Sequence, residues 1–170
     1  MSDDLAPWVP RLRRYARGLA GNRDDADDLV QDTLERAWSR AGLWRNVVDM
    51  RAWLFAIMHN LHVDALRRGR LAVVALDEDE ADAVAPPPQA ARAVMLDLQS
   101  ALERLAPEQR DVLLLVALED MAYADIARTL GIPLGTVMSR LSRGRERLRL
   151  LLDGTPSAPG GDAVRLKVVK

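Results

Sequence analysis

Apolar residues recur at intervals of three and four along most of the chain, which is the period of a helix with one buried face. In the first 70 residues the pattern predicts three helices: one over residues 6–20, one that begins shortly after it, and one over residues 50–68. Gly21 is suited to end the first helix, and Asn22 or Asp24 is suited to cap the second. The buried stripe of the third helix is predicted to contain Leu54, Ile57, Met58, Leu61 and Ala65.

The second half of the chain predicts four further helices, and the last two of them form a helix-turn-helix. One helix covers residues 93–105, and Pro107 suits the first turn of the next. A short helix follows in "YADIARTLG", and the last one starts within "PLGTV". Ala127, Gly131 and Val137 have helix-turn-helix spacing, because the crossing helices need a small residue, the turn a glycine and the second helix an apolar anchor.

The segment between these two groups of helices has a different composition. Residues 71–92 contain the acidic run "DEDEAD" and three consecutive prolines, which cannot continue a helix. The predicted fold class is therefore all-α, with two small helical domains (residues 1–70 and 93–152) joined by a flexible linker. A long loop within one domain is the alternative, although loops of that length are uncommon. Residues 153–170 include "GTPSAPGGD" and are predicted to form a disordered tail.

Composition narrows the kinds of site that the chain can carry. The chain has 170 residues, 49% of them hydrophobic and 4% aromatic, and this mix favours helices. Without cysteine there are no disulfides or thiolate metal sites, and the two histidines could bind zinc only with carboxylates. The N-terminal residues do not resemble a signal peptide, and no apolar run is long enough to cross a bilayer. We therefore expect a cytoplasmic protein with no membrane insertion, metal or other cofactor.

Positive charge is concentrated in one short segment. The net charge is −1, yet five arginines lie between Arg140 and Arg149. On the last helix the predicted buried stripe is Val137, Leu141, Gly144, Leu148 and Leu151, and the stripe beside it is Thr136, Arg140, Arg143 and Arg147. A helix that is held by one face and carries cations beside it can dock in the major groove of DNA. A solvated basic face is the alternative, and the preceding helix-turn-helix argues against it.

Two further polar stripes lie on the helices of the first half. The second helix carries Asp28, Gln31, Asp32 and Glu35 at helical spacing, and taken alone this is best explained as a solvated face. The third helix carries Trp53, Ala56, Asn60, Asp64 and Arg67 beside its buried stripe. Such side chains can stack on bases or bond to base edges and phosphates, although spacing alone favours a core position for Trp53.

These segments together resemble the extracytoplasmic-function group of the bacterial sigma-70 family. "DDADDLVQDTLERAW" is similar to its region 2.2, "DMRAWLFAIMHNLHVDALRR" to regions 2.3 and 2.4, and "LERLAPEQRDVLLLVALEDMAYADIARTLGIPLGTVMSRLSRGRERLR" to region 4. The resemblance covers about residues 8–152 in the expected order. It implies no enzymatic activity and no small-molecule substrate. The implied function is to give RNA polymerase its promoter specificity.

The resemblance also implies roles for the stripes. The second helix would bind the beta-prime clamp of core polymerase through Asp28, Gln31, Asp32 and Glu35. The third would contact the promoter −10 element through Arg51, Trp53, Asn60 and Arg67, with "GLWRNVVD" before it capturing a flipped base. The last would read the −35 element through Thr136, Ser139, Arg140, Arg143 and Arg147. Met138 departs from the family pattern, which commonly has Lys there.

The resemblance implies further partners and leaves two alternatives open. The beta flap of polymerase is a second docking site, and an anti-sigma factor, which could hold the protein at the membrane, is the expected regulator. One alternative is a sigma-like decoy that binds an anti-sigma factor and never contacts DNA. The other is a conventional helix-turn-helix regulator, in which the polymerase-binding and −10-binding helices would have no role.

Overall fold

The computed structural model of the protein describes residues 5–71 and 89–153, and this part of the chain is all-α, as predicted. Seven α-helices account for most of it, together with two short 3-10 turns at Ala6–Trp8 and Ala41–Asn46. The helices are α1 (Val9–Ala20), α2 (Arg23–Ser39), α3 (Met50–Leu71), α4 (Gln89–Glu103), α5 (Pro107–Glu119), α6 (Tyr123–Leu130) and α7 (Leu134–Asp153).

Local sequence signals place several helix ends where they were predicted. Gly21 ends α1 in the left-handed conformation, with φ of 79°. Asn22 then caps α2, because its Oδ1 accepts a hydrogen bond from the backbone N–H of Asp25 at 2.9 Å. Gly131 ends α6 with φ of 65°. Glycine adopts this conformation without the steric cost that a Cβ would impose.

The start of α4 differs from the prediction. Helix α4 begins at Gln89, four residues before the predicted start at residue 93, and it occupies the last part of the interval assigned to the linker. The residues concerned, "QAAR", are strong helix formers, so the helix extends toward the prolines. The rest of the predicted linker, residues 72–88, and the predicted tail from residue 154 lie outside the described residues.

Helices α1 to α3 form a bundle around an aromatic pair. The rings of Tyr15 and Phe55 meet edge to face, with centroids 5.1 Å apart, and both side chains are fully buried. Leu54, Ile57 and Met58 of the predicted stripe are buried in this core. Ala65 is exposed, so its predicted burial is wrong: residues 63–69 of α3 are all half-buried or exposed.

Helices α4 to α7 surround the remaining part of the same hydrophobic core. On α7 the predicted stripe is confirmed at Val137, Leu141, Gly144 and Leu151, which are buried, while Leu148 is half-buried. Gly144 is needed at the crossing of α5 and α7. A Cβ there would lie 2.9 Å from Leu113 Cδ1 and 3.3 Å from Gln109 Cβ.

The two groups of helices pack against each other, which the sequence did not predict. Helix α1 lies on α5, and α3 lies on α6. The approach of α1 to α5 is close at Gly18, where a Cβ would lie 2.8 Å from both Cδ atoms of Leu114. We refer below to α1–α3 as the first half, to α4–α7 as the second half, and to their contact as the inter-half interface.

Candidate nucleic-acid and polymerase interfaces

The helix-turn-helix is formed by α6, a turn at residues 131–133, and α7. The backbone N–H groups of Gly131 and Ile132 both bond to Ala127 O, which closes the end of α6. Pro133 O then accepts from the N–H of Thr136 at 3.0 Å and starts α7. Ile126 and Val137 are fully buried where the two helices meet. The buried anchors fix one face of α7 and leave its other faces to solvent.

The five arginines of α7 fall into two classes, and the three of the predicted stripe differ from the other two. Arg143 and Arg147 are exposed and Arg140 is half-buried, and none of the three has a hydrogen bond or ion pair within residues 5–71 and 89–153. Arg145 Nη2 lies 3.4 Å from the hydroxyl of Tyr123. Arg149 pairs with Glu146 at 2.8 Å and with Asp153 at 2.9 Å. Three arginines on α7 are thus available to an external anion.

The contacts of Arg149 also affect its partner. The hydrogen bond and the positive charge of Arg149 lower the pKa of Glu146, and the same contacts raise the pKa of Arg149. Because this guanidinium already has two carboxylate partners, it is a poor candidate for a phosphate contact. The two remaining residues of the predicted −35 set, Thr136 and Ser139, are half-buried near the start of α7, where Ser139 Oγ donates to Thr136 O at 3.1 Å.

The acidic stripe of α2 faces solvent. Asp28, Gln31, Asp32 and Glu35 are all exposed, and the amide of Gln31 donates to Glu35 Oε1 at 3.0 Å. Within the described residues the carboxylates of Asp28 and Asp32 have no intramolecular partner. Asp27, which is not in the stripe, is instead paired with Arg13 at 3.3 Å. The stripe is therefore free to meet a cationic partner.

The four candidate −10 residues on α3 do not form one free surface. Asn60 and Arg67 are exposed. Arg51 and Trp53 instead face the second half: Arg51 Nη1 donates to the backbone oxygen of Glu119 at 3.2 Å. Trp53 is half-buried and lines a cleft of about 520 Å³, whose other walls are Val48, Asp49, Ala52 and Ala56 and, from α6, Asp125, Arg128 and Thr129.

The segment predicted to capture a base lies beside this cleft. It begins in the 3-10 turn Ala41–Asn46 and leads into α3, where Asp49 Oδ1 accepts from the N–H of Ala52 at 3.1 Å. Leu43 is 55% exposed and Val48 is fully exposed. Two apolar side chains thus stand in solvent beside the start of the candidate −10 helix.

A set of buried charged side chains in the inter-half interface was missed by the sequence analysis. Glu119 of α5 accepts from Arg11 Nε at 2.8 Å and from Arg14 Nη2 at 3.4 Å, and its own side chain is fully buried. Arg110, also on α5, donates to Leu19 O at 2.8 Å. Asp111 is buried with one carboxylate oxygen 2.9 Å from His59 Nδ1, at ion-pair distance but outside hydrogen-bond geometry.

Burial and the buried charges shift the pKa values of two further side chains, Tyr15 and His62. Burial raises the pKa of Tyr15 well above its usual value, and the charges of Asp111 and Glu119 raise it further. Burial lowers the pKa of His62, and the charge of Asp111 opposes that effect. A signal for the cluster was present in the sequence, since Asp111 and Glu119 lie four residues before and after Leu115 and so share the buried face of α5.

Neither a metal site nor a membrane span is found in the described part of the chain. Within residues 5–71 and 89–153, no group of three or more His, Asp or Glu side chains is placed to hold a metal ion. None of the described helices is both long enough and apolar enough to span a membrane.

Comparison with known proteins identifies both halves. Residues 5–59 match the family described as "Sigma2 domain of PhyR", and residues 95–148 match "Sigma-70, region 4". The ECF RNA polymerase sigma factor EcfG of Rhodopseudomonas palustris is 37% identical over 168 residues, covering 97% of this chain and 93% of the relative. SigE of Mycolicibacterium smegmatis is 39% identical over 145 residues, which cover 82% of this chain and 56% of the relative.

Solved structures give the same result. The sigma factor RpoE of Bartonella quintana, in complex with the anti-sigma factor NepR, superposes with a TM-score of 0.75 and 32% identity over 91% of this chain and 98% of that one. CnrH, in complex with the cytosolic domain of CnrY, superposes with a TM-score of 0.69 and 28% identity over 91% of this chain and 88% of that one. With its helix-turn-helix and region 2-like bundle, the chain belongs to the ECF sigma factors of bacterial RNA polymerase.

Proposed function

We propose that this sigma factor binds core RNA polymerase and directs it to promoters by recognising both a −10 and a −35 element. The observation that carries the proposal is on α7, where Arg140, Arg143 and Arg147 lie beside the buried stripe of a helix-turn-helix without an intramolecular partner in the described part of the chain. Unpaired guanidinium groups at this position suit guanine edges in the major groove and the phosphates beside them.

The early residues of α7 are assigned to bases and the later ones to phosphates. Thr136, Ser139, Arg140 and Arg143 lie within the first three turns, the part of a recognition helix that reaches base edges. Arg147 lies one turn further and is assigned to a phosphate. Arg149 is left out of the interface because it is already paired with Glu146 and Asp153.

Polymerase docking is assigned to two surfaces. The acidic stripe of α2 is proposed to bind the beta-prime clamp, and its unpaired Asp28 and Asp32 support this assignment. The second surface is on α4, where the exposed side chains of Val94, Met95 and Leu98 have the three- and four-residue spacing of one helix face. Adjacent exposed apolar side chains commonly mark a protein-binding site, and we assign these three to the beta flap.

The −10 element is assigned to α3 and the segment before it. Asn60 and Arg67 are exposed for contacts with bases and backbone, and Trp53 offers a ring for stacking. Arg51 joins this set once its hydrogen bond to Glu119 is released. The exposed Leu43 and Val48 lie on the segment proposed to hold a flipped base.

Regulation by an anti-sigma factor is proposed because similar solved structures are complexes with a second protein. The RpoE and CnrH structures named above are complexes with NepR and CnrY, respectively. We infer that this chain is likewise held inactive by an anti-sigma factor and acts in the cytoplasm when released. The anti-sigma factor is also where any tether to the membrane would lie.

The match of the first half to the sigma-like domain of PhyR supports one alternative, a decoy that binds an anti-sigma factor without DNA. An NMR structure of the PhyRSL–NepR complex from Sphingomonas sp. Fr1 superposes with a TM-score of 0.65 and 25% identity. Against a decoy, the helix-turn-helix of this chain keeps unpaired arginines. A conventional repressor or activator is disfavoured by the acidic stripe of α2, which would then have no partner.

Run-off transcription with purified core polymerase separates these functions. A sigma factor should bind core and initiate at a discrete site on at least one template from a genomic promoter library. A decoy should bind an anti-sigma factor and give no transcript, and a conventional regulator should bind duplex DNA without core. Absence of both core binding and transcription would contradict the proposed function.

A further inference from the structure

Two exposed apolar side chains lie on the first two turns of α7. Leu134 is 47% exposed and Met138 is 54% exposed. They are four residues apart, so they lie one above the other on the same side of the helix. Neither belongs to the buried stripe of α7, and together they form an apolar surface that the folded chain leaves to water. We refer to these two residues as the apolar ridge.

The fully buried Val137 fixes the direction in which the apolar ridge points. Successive residues of an α-helix are rotated by about 100°, so Met138 lies at one side of the helix. Gly135 and Ser139 are each about 160° from Val137 and therefore lie on the outer face. A Cβ at Gly135 would meet nothing within 4 Å, so this face is open. Because its side chains are small, a ligand can approach the backbone closely there and reach the ridge.

The unpaired arginines lie at the other side of the same outer face. Arg143 is about 120° from Val137, in the direction opposite to Met138. In the described part of the chain, neither Arg140 nor Arg143 has a hydrogen bond or ion pair. The major groove of DNA is about 12 Å wide and admits an α-helix. A duplex attracted to these guanidinium groups would therefore receive the outer face of α7 in its groove and meet the apolar ridge at the opposite edge.

The chemistry of the apolar ridge selects one base. Leu134 has no polar side-chain atom, and the thioether of Met138 is only a weak acceptor. Against a phosphate, such side chains would remove water from a charge without replacing its hydrogen bonds. Among the bases, only thymine presents an apolar group in the major groove, its C5-methyl. Methionine is unbranched and adapts its shape to a neighbouring surface, so it suits contact with that methyl group.

We propose that Met138 packs on the C5-methyl group of one thymine in the −35 element and that Leu134 shields this contact from water. The inference deepens the proposed promoter function and rests on it, because it adds an apolar base contact to the hydrogen bonds assigned to Arg143. Met138 and Arg143 are five residues apart, or about 7.5 Å along the helix. At about 3.4 Å per base pair, the thymine should lie within about three base pairs of the position that Arg143 reads.

Deoxyuridine tests the contact directly, because it differs from thymidine only in lacking the C5-methyl group. Holoenzyme formed from core polymerase and the full chain is bound to promoter duplexes in which each thymine of the −35 element, on either strand, is replaced in turn. We expect one replacement to weaken binding by about three- to fivefold, which is the effect of losing one buried methyl group. The other replacements should change the affinity little.

Substitution of Met138 identifies the side chain that makes the contact. Met138→Ala should bind the unmodified promoter about three- to fivefold more weakly, and it should no longer respond to deoxyuridine at the sensitive position. Because an apolar contact releases no counterions, the salt slope of this variant should equal that of the parent. Leu150→Ala is the matched control: Leu150 is 50% exposed on the same helix, more than three turns further along, and this variant should keep the full response.

The reverse experiment adds the methyl group to another base. At the sensitive position, exchanging the A·T pair for G·C, with cytosine in place of thymine, should weaken binding of the parent holoenzyme. Replacing that cytosine by 5-methylcytosine should regain part of the affinity with the parent and none with Met138→Ala. The comparison separates the methyl group from the other differences between the two base pairs.

Three results would overturn the inference while leaving the promoter function intact. The first is a −35 element that Arg143→Ala relaxes but in which no thymine is sensitive to deoxyuridine. The second is an equal response to deoxyuridine in Met138→Ala and the parent. The third is weaker binding of Met138→Ala to core polymerase without DNA, since the apolar ridge would then dock on a protein. If the parent holoenzyme forms no specific complex with any promoter, the promoter function fails, and the inference fails with it.

Discussion

Gly144 of α7 lies so close to Leu113 of α5 that a Cβ on the glycine would be 2.9 Å from Leu113 Cδ1. The neighbouring Gln109 Cβ would be 3.3 Å away, and its position is fixed by the backbone of α5. The contact sets how closely the recognition helix packs on the rest of the second half. It also explains a glycine in the middle of a twenty-residue helix, where glycine is otherwise unfavourable.

Replacing this glycine is therefore expected to destabilise the protein. Alanine usually stabilises a helix interior by about 0.5–1 kcal/mol relative to glycine. At Gly144 overpacking should cost about 1–3 kcal/mol and reverse the sign. A Cβ at Gly69 of α3 would meet nothing within 4 Å, so Gly69→Ala is the matched control and should be neutral or stabilising. Denaturant unfolding measures both, and equal gains would contradict the close packing.

The arginines of α7 should differ in their effects on promoter binding. Arg143→Ala should cost about 1–3 kcal/mol and relax preference at one −35 position, because it is assigned to a base. Arg147→Ala should weaken all promoters alike and reduce the salt slope by about one, as loss of a phosphate contact does. Holoenzyme binding to promoters varied across the −35 element, over a salt series, distinguishes the two.

Arg149→Ala is the matched control for these substitutions. Its side chain carries the same charge on the same helix, but it is already bonded to Glu146 and Asp153. We expect a smaller effect on affinity than for Arg147→Ala, with the same sequence preference as the parent. An effect of Arg149→Ala as large as that of Arg143→Ala would show that the intramolecular pairs do not separate these arginines.

The acidic stripe of α2 should be tested by charge reversal. Asp32→Arg should weaken binding to core polymerase by about 2 kcal/mol or more, because like charges would then face each other. Asp32 is exposed, so the free energy of unfolding should change by no more than about 0.5 kcal/mol. Glu108→Arg, at an exposed position on α5 outside both proposed polymerase-binding surfaces, is matched in charge and exposure. Core affinity equal for Asp32→Arg and the parent would mean that the stripe is only a solvated face.

Stability should decrease in mild acid because of His62. Burial holds the pKa of this imidazole below 6.5, with Arg110 and His59 adding to the effect and Asp111 opposing it. The unfolded chain therefore takes up the proton at a higher pH than the folded chain does. The free energy of unfolding should decrease as the pH falls below 6.5, by at most about 1.4 kcal/mol per pH unit from this group.

The measurement compares denaturant unfolding of the parent and His62→Gln at pH 7.5 and pH 5.5. Protonation of other groups occurs in both proteins and largely cancels in the difference. The variant should lose less stability than the parent on acidification. An equal loss in the two proteins would show that His62 is not the group responsible.

Helix positions were largely determined by the sequence, because the signals that set them are local. A glycine with positive φ at Gly21, a side-chain cap at Asn22 and the proline at the start of α5 each act within one turn. The buried stripe of α7 could be read from its period for the same reason. The resemblance to sigma regions 2 and 4 likewise depends on contiguous segments, and the comparisons confirm it.

Other features were decided only by the tertiary structure, since they depend on which faces meet. Periodicity places Asp111 and Glu119 on the same face as Leu115, but their partners His59, Arg11 and Arg14 lie in the other half of the sequence. The partial covering of Arg51 and Trp53 follows from the same packing. A helical period shows that a face is apolar, but it does not identify the helix that packs against that face. The burial of charge at the inter-half interface is therefore a property of the folded chain alone.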